Sequence, residues 1–369
     1  MKLTINPKEI APDLKKVERV ISSKNIVAIL YNFLLEVKNG ALNVTAFDNL
    51  VRVTTTLPIV SSDGDFSFCV DAHKFAQAIG NINSDVAEIE IVDNMMVCKH
   101  KRGKFNLSYY DGKDYPTMVL EDGKCVLMPV RDIRPSIDSV AFAVSNDDLH
   151  PTMCGVYFDC TKDGIVGVGT DARILAKYSN DDGKDYSELS SIIIPLKAAN
   201  VISSFMERCG DDDNIEVTST IDVTQLKIDS KWTISFRQIN GKYPNYNAVI
   251  PQKTNNNATI SRKDLIDALN SAVLFAPQKT VTIKFHFSNN KVELEAQDMD
   301  YNMSSIEEIE CEYDGEEMTI GFNGLSFLSI LSSMLTDFVC VNLNTPQRAA
   351  LVYPKDDVNF LSLIMPVMI

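Results

Sequence analysis

The sequence predicts an α+β fold of three repeated domains, each with two helices packed on antiparallel sheets. Three observations lead there. A hairpin pattern recurs at a period of roughly 125 residues. In each recurrence a short apolar strand runs directly into a stretch of helical periodicity. Each recurrence also opens with an amphipathic helix.

The opening helices come first along the chain. Ile10, Leu14, Val17 and Ile21 share one face of an expected helix over 8–21. Ile133, Ile137 and Val140 do so over 129–144, and Leu265, Leu269 and Val273 over 261–273. Pro12 and Pro135 lie within the first two stripes, where a missing N–H shifts the start or kinks the axis. The hairpins follow. Residues 33–37 and 42–48 flank Asn39-Gly40, 156–160 and 166–171 flank Asp163-Gly164, and 283–287 and 292–298 flank Asn289-Asn290. Alternating apolar residues around Asn, Asp and Gly read as two strands and a tight turn. The third unit is strand into helix: 66–70 into 71–83, 192–195 into 196–208, and 318–322 into 324–335. Further strands follow each second helix, 88–92 with 96–100, 215–218 with 225–229, and 339–343 with 349–353. Polar stretches at 119–124 and 252–257 separate domains at 1–120, 125–251 and 257–369.

Composition narrows the function classes. Hydrophobic residues at 45% and charged residues at 23% give each domain an ordinary soluble core. No apolar run approaches the ~18 residues of a membrane span, and the first residues lack a signal-peptide core, so a cytoplasmic protein is expected. The eight cysteines include no C-x-x-C pair, which points to reduced thiols. His73, His100, His150 and His286 lack metal-ligand spacing, and Asp211-Asp212-Asp213 lacks the Gly and Glu of a calcium loop. The glycines at 164, 167 and 169 fall inside a hairpin, not in a phosphate loop. No metal, no cofactor and no catalytic residue is expected, and a binding protein is favoured over an enzyme.

The net charge of -15 argues against nucleic-acid binding unless the charges are segregated. They are, modestly. The six expected helices carry eleven Lys and Arg against nine Asp and Glu, so they total +2 while the rest of the chain totals -17. Lys8, Lys15 and Arg19 share a face of the first helix away from its apolar stripe. If the repeats close into a ring, the helices would line one surface and the acidic strands another.

Four local segments carry a family resemblance. Residues 169–176, Gly-Thr-Asp-Ala-Arg-Ile-Leu-Ala, resemble the T-D-G-H-R-L-A segment of the bacterial beta sliding clamps. Residues 240–246, Asn-Gly-Lys-Tyr-Pro-Asn-Tyr, with Val249-Ile250-Pro251 resemble their D-G-R-F-P-D-Y…V-L-P. The tail Ile364-Met365-Pro366-Val367-Met368-Ile369 is similar to their V-M-P-M-R-L ending, and Gly321-Phe322-Asn323 matches as well. The order and spacing of these segments, from Lys2 to Ile369, carry the resemblance more than any one of them.

The resemblance implies three DNA-clamp domains per chain and a six-domain ring formed as a head-to-tail homodimer. It implies double-stranded DNA held without sequence specificity, and tethering of the replicative DNA polymerase. Further partners are the clamp loader, repair polymerases, and mismatch-repair and ligase proteins, docking by short linear motifs. Their pocket corresponds to Met153, Thr170, Ala172, Arg173, Leu175, Pro244, Val249, Asn323, Leu363, Ile364, Met365, Pro366 and Val367. DNA-facing positions are Lys8, Lys15, Arg19, Lys24, Arg131, Lys197 and Arg208. The dimer contact joins Lys74, Phe105 and Leu107 to Val273 and Leu274, with Glu307 and Glu308 as ion-pair partners of Lys74. Ala172 stands where the family carries Gly, Arg173 and Ile174 where His-Arg is common, Ala248 where a pocket Arg sits, and Thr280 where an aromatic can sit. Pro151 and Thr152 occupy positions that can hold DNA-stacking aromatics. These departures imply an altered peptide preference.

Overall fold

A computed structural model describes residues 1–92, 95–120 and 123–369. Glu121 and Asp122, in the first expected domain boundary, lie outside the described residues. The first repeat comprises β1 (Lys2–Ile5), α1 (Pro7–Glu18), β2 (Asn32–Lys38), β3 (Ala41–Phe47), β4 (Val51–Pro58), β5 (Ser61–Ser62), β6 (Phe66–Asp71), α2 (Ala72–Gly80), β7 (Ala87–Val92), β8 (Met95–His100) and β9 (Gly103–Asp111). The second comprises β10 (Lys124–Pro129), α3 (Val130–Asp138), β11 (Gly155–Cys160), β12 (Ile165–Thr170), β13 (Ile174–Asn180), β14 (Ile192–Pro195), α4 (Leu196–Met206), β15 (Asn214–Ser219), β16 (Val223–Ile228) and β17 (Trp232–Arg237). The third comprises β18 (Asn256–Ser261), α5 (Arg262–Val273), β19 (Thr282–Ser288), β20 (Lys291–Asp298), β21 (Met303–Tyr313), β22 (Met318–Asn323), α6 (Gly324–Ser332), β23 (Phe338–Leu343), β24 (Ala350–Pro354) and β25 (Phe360–Ile364). The six expected helices and the three expected hairpins are all present.

One pairing rule builds every repeat. Two antiparallel sheets form, β6-β2-β3-β4 and β1-β7-β8-β9 in the first repeat. The second forms β14-β11-β12-β13 and β10-β15-β16-β17. The third forms β22-β19-β20-β21 and β18-β23-β24-β25. Outer strands then join repeats. β4 pairs with β17, with Val53 opposite Ile234, and β13 pairs with β25, with Leu175 opposite Leu363. The second repeat therefore shares one sheet with each neighbour. The chain packs as two compact units, 1–130 with 204–238 and 131–203 with 239–369.

Local chemistry sets the helix ends. Asn6 caps α1 by accepting from the Lys8 N–H, with Pro7 at the first helical position, where its missing N–H costs nothing. Asp71, Ser261 and Asn323 cap α2, α5 and α6 in the same way. The third helix is shorter than the expected 129–144: α3 stops at Asp138 and a 3-10 turn covers Ala141–Ala143. Pro135 removes one N–H from the ladder, and the Ser136 hydroxyl donates back to the Asp132 carbonyl at 2.7 Å, which weakens and bends a helix. The glycines of β12 serve this helix. A Cβ at Gly167 would strike the Ser136 carbonyl, and one at Gly169 the Val140 carbonyl, so backbone approaches backbone there.

Aromatic packing fills the third repeat. The Phe285, Phe322 and Phe327 rings lie with centroids 5.0–5.4 Å apart under α6. A buried carboxylate organises the 181–191 loop. Asp132 accepts from Asn180 Nδ2 at 2.7 Å, Lys184 Nζ at 3.1 Å and the Tyr186 hydroxyl at 2.5 Å. Burial, with the Asp132 carboxylate beside it, pushes the Tyr186 hydroxyl pKa up. Deleting one member of such a buried network strands the others. Asp132→Ala is expected to lower stability by about 3 kcal/mol in urea denaturation followed by circular dichroism; a loss under about 1 kcal/mol would contradict this role.

Candidate functional site

The turn between β12 and β13 is locked in one shape. Asp171 Oδ1 accepts from the Arg173 N–H at 2.8 Å and the Ile174 N–H at 2.7 Å. The Thr170 hydroxyl donates to the Ile174 carbonyl at 2.7 Å and accepts from the Ala172 N–H at 3.1 Å. This holds Ala172 at φ 70, a left-handed conformation that costs a residue with a Cβ about 1–2 kcal/mol. The Arg173 carbonyl accepts from the Met365 N–H at 2.8 Å, which ties the turn to the C-terminal segment.

A cleft of about 650 Å³ lies elsewhere, between α1 and α2; the cleft beside this turn measures about 540 Å³. Met153, Ala172 and Arg173 line the latter, with Asp147, His150 and Leu325. The His150 ring lies 3.4 Å from Asp147, and the Leu149 N–H holds the Asp147 carboxyl below its usual pKa. Arg173 makes no ion pair among the described residues. Leu325, in this lining, is 54% exposed, so it offers apolar surface at the cleft. A second cleft of about 350 Å³ is lined by Pro366 and Val367 with Gly321 and Pro346, where the tail runs along β22 and the Val367 N–H donates to the Gly321 carbonyl.

The other expected pocket residues take different places in the same unit. Leu175, Leu363 and Ile364 are buried; Leu175 and Leu363 join a core with Val168, Tyr243 and Leu351. Asn323 is committed to structure, capping α6 and donating Nδ2 to the Thr280 carbonyl at 2.7 Å. Met365 is exposed. Pro244 and Val249 are exposed on a segment fastened by two tyrosines. Tyr243 stacks on Tyr157 at 4.6 Å, and the Tyr246 hydroxyl donates to Asp159 at 3.1 Å. Burial, then Asp159, pushes the Tyr246 hydroxyl up to about 12.

The cationic positions differ in availability. In the first unit, Lys8 pairs with Asp85 at 2.9 Å, while Lys15, Arg19 and Lys24 are exposed and make no ion pair among the described residues. Arg208 is exposed as well. Lys16 turns inward over the Phe205 and Trp232 rings at 4.3 and 5.5 Å, and burial lowers its pKa. In the second unit, Arg131 Nε lies 3.9 Å from Asp132, and Lys197 is half-buried on α4. Beside Lys8 and Lys15 in the α1–α2 groove, His73 and Glu18 meet at 2.5 Å.

Besides the strands that end the two sheets, β5, β10, β14 and β22, two more have an open edge along most of their length among the described residues. β9 pairs with β6 only at 109–111, and β21 with β18 only at 311–313. Residues 103–108 and 303–309 therefore have a backbone partner on one side alone among the described residues. β9 carries the expected Phe105 and Leu107 and also Lys104, and Lys101 and Arg102 lie in the turn before it; these three cations make no ion pair among the described residues. Beside β21, Leu274 and Ile306 are 73% and 65% exposed, and Glu308, Glu310 and Glu312 alternate along the strand, with Glu307 on its other face. Within the chain Lys74 pairs with Asp71 at 3.6 Å, Glu307 accepts from Ser271 at 2.6 Å, and Glu308 pairs with Lys291 at 2.6 Å. The sequence reading passed over the basic tip at 101–104; its signal is three cations around a hairpin turn.

Among the described residues no cluster of His, Cys, Asp and Glu could hold a metal ion, and no helix is long and apolar enough to cross a membrane. The Glu18 hydrogen bond raises the His73 pKa above 6.5. A raised pKa in the folded state means that this pair stabilises below about pH 6.5 and that its contribution fades as pH rises through the folded value. Nitrogen-detected NMR titration should give His73 a pKa above that of a free histidine, and Glu18→Gln should return it to normal. A His73 pKa unmoved by that change would contradict the pairing.

Comparison with known proteins agrees with this architecture. The DNA polymerase III beta subunit N-terminal domain matches residues 1–119, the central domain 128–245 and the C-terminal domain 247–368. A beta sliding clamp from Vibrio cholerae is 24% identical over 375 residues, covering 100% of both chains. A crystal structure of the DNA polymerase III subunit beta from Pseudomonas aeruginosa superposes with a TM-score of 0.93 at 22% identity, over 100% of both chains. A Bacillus subtilis sliding clamp structure gives a TM-score of 0.93 at 20% identity, over 100% of this chain and 99% of that one. The chain belongs to the DNA polymerase III beta subunit family, the beta sliding clamps.

Proposed function

We propose that this chain is a DNA sliding clamp whose two copies join head to tail into a six-domain ring around duplex DNA. The pairing rule is the observation that carries this reading. β4 of the first repeat pairs with β17 of the second, and β13 of the second with β25 of the third. The strand equivalent to β4 and β13 in the third repeat is β21, and the strand equivalent to β17 and β25 in the first is β9. Both are open. Pairing β21 of one copy with β9 of another repeats the rule and leaves neither exposed. Charge supports the match, since Lys101, Arg102 and Lys104 would meet Glu307 and Glu310; Glu308, already paired with Lys291, adds less. On this reading Lys74 is a lesser contributor, because Asp71 already neutralises it.

The ring's role is topological. An acidic protein that encircles DNA needs little affinity for it, and Lys15, Arg19, Lys24 and Arg208 would give transient phosphate contacts. The clefts beside Ala172 and Pro366, with exposed Pro244 and Val249, would take short peptides from the replicative polymerase, clamp loader, repair polymerases, mismatch-repair proteins and ligase. Such a protein tethers enzymes and is not itself one, and it works in the cytoplasm where the chromosome is replicated. Domains at 1–120, 125–251 and 257–369 fit the three pairing sets.

Two experiments test this. Leu107→Lys puts a charge on the β9 edge and should convert a two-chain species to single chains in sedimentation velocity; an unchanged sedimentation coefficient would count against the edge pairing. Loaded onto nicked circular DNA by a clamp loader with ATP, the protein should stay on circles in high salt and run off after restriction cleavage. Retention on both forms would mean ordinary affinity rather than encirclement.

A further inference from the structure

Ala172 holds a left-handed conformation although it carries a Cβ. Five hydrogen bonds shared among Thr170, Asp171, Ala172, Arg173 and Ile174 leave it no other. Strain of this kind is often repaid by packing. Here it is not, because Ala172 is exposed and faces the 540 Å³ cleft shared with Met153 and Leu325. A methyl group that is strained and meets no core is left to act on whatever enters the cleft. Glycine, without strain at this φ, would leave that space open.

We propose that Ala172 is a specificity-determining residue, whose methyl narrows the cleft so that a docking peptide must carry a small residue opposite it. The inference rests on the peptide-docking reading above. The occupant is an extended peptide segment with apolar anchors. Phe142, Met153 and the exposed Leu325 in the lining offer those anchors contact, and the Arg173–Met365 hydrogen bond ties the turn to the C-terminal segment. A bulky residue at the narrow point clashes with a backbone that cannot retreat, since the turn is locked.

The test uses fluorescein-labelled heptapeptides containing Leu and Phe anchors, with Gly, Ser, Val or Tyr between them, and fluorescence anisotropy on the full-length protein. A single methyl in a pocket alters discrimination by about 10–200-fold. The unaltered protein should therefore bind the Gly and Ser peptides at least about tenfold more tightly than the Val and Tyr peptides. Ala172→Gly should bring the four within about twofold of one another, with its melting temperature unchanged or higher. Ala172→Ser, similar in size and equally strained, should keep the discrimination. If Ala172→Gly discriminates as strongly as the unaltered protein, the methyl is not the determinant. If all four peptides bind the unaltered protein equally, the inference falls while peptide docking stands. If none binds, both fall.

Discussion

Backbone hydrogen bonding at the ends of sheets is the constraint on which this molecule depends. A strand edge exposes N–H and C=O groups that invite another strand. The chain meets that constraint the same way twice, by giving the outer strand of one repeat to the outer strand of the next. Because the second repeat lends a sheet to each side, compact packing does not follow repeat boundaries: β10–β17 divide between the two units. β5, β10, β14 and β22 end the two sheets, and the rule leaves one strand at each end without a partner repeat, β9 and β21. A protein that left these unpaired would carry two alternating apolar edges into solvent.

The same arrangement separates charge. Loops carry most of the acidic excess, while α1 and the loop after it present Lys15, Arg19 and Lys24, which make no ion pair among the described residues. The pocket region works under a different constraint. Its parts are fixed by commitments elsewhere: Asn323 to the α6 cap, Leu175 and Leu363 to strand register and core, Tyr246 to Asp159. Few of these side chains are free to move, whereas Ala172 and Arg173 face open space.

Much of the fold is legible in the sequence because its signals are local. Ile10, Leu14 and Val17 mark a helix by spacing alone, and Asn39-Gly40 and Asn290 supply the left-handed turn residues that the hairpins adopt. The early end of α3 is half legible: Pro135 is visible, but the Ser136 hydroxyl's bond to the Asp132 carbonyl is not. Strand pairing between repeats is not legible, since Val53 opposite Ile234 is a register chosen by tertiary packing. Met153, Ala172 and Arg173 came together only through resemblance, and Asp147 and His150 were missed because a 3-10 turn over Pro151–Met153, not sequence proximity, brings them to the cleft.

The most direct measurement is hydrogen–deuterium exchange at residues 103–108 and 303–309 in the unaltered protein in solution. If β9 and β21 of two copies pair, both segments exchange as slowly as β4 and β17, which are paired within the chain. If either segment exchanges as fast as an exposed loop, the edges are open in solution and the ring account is wrong.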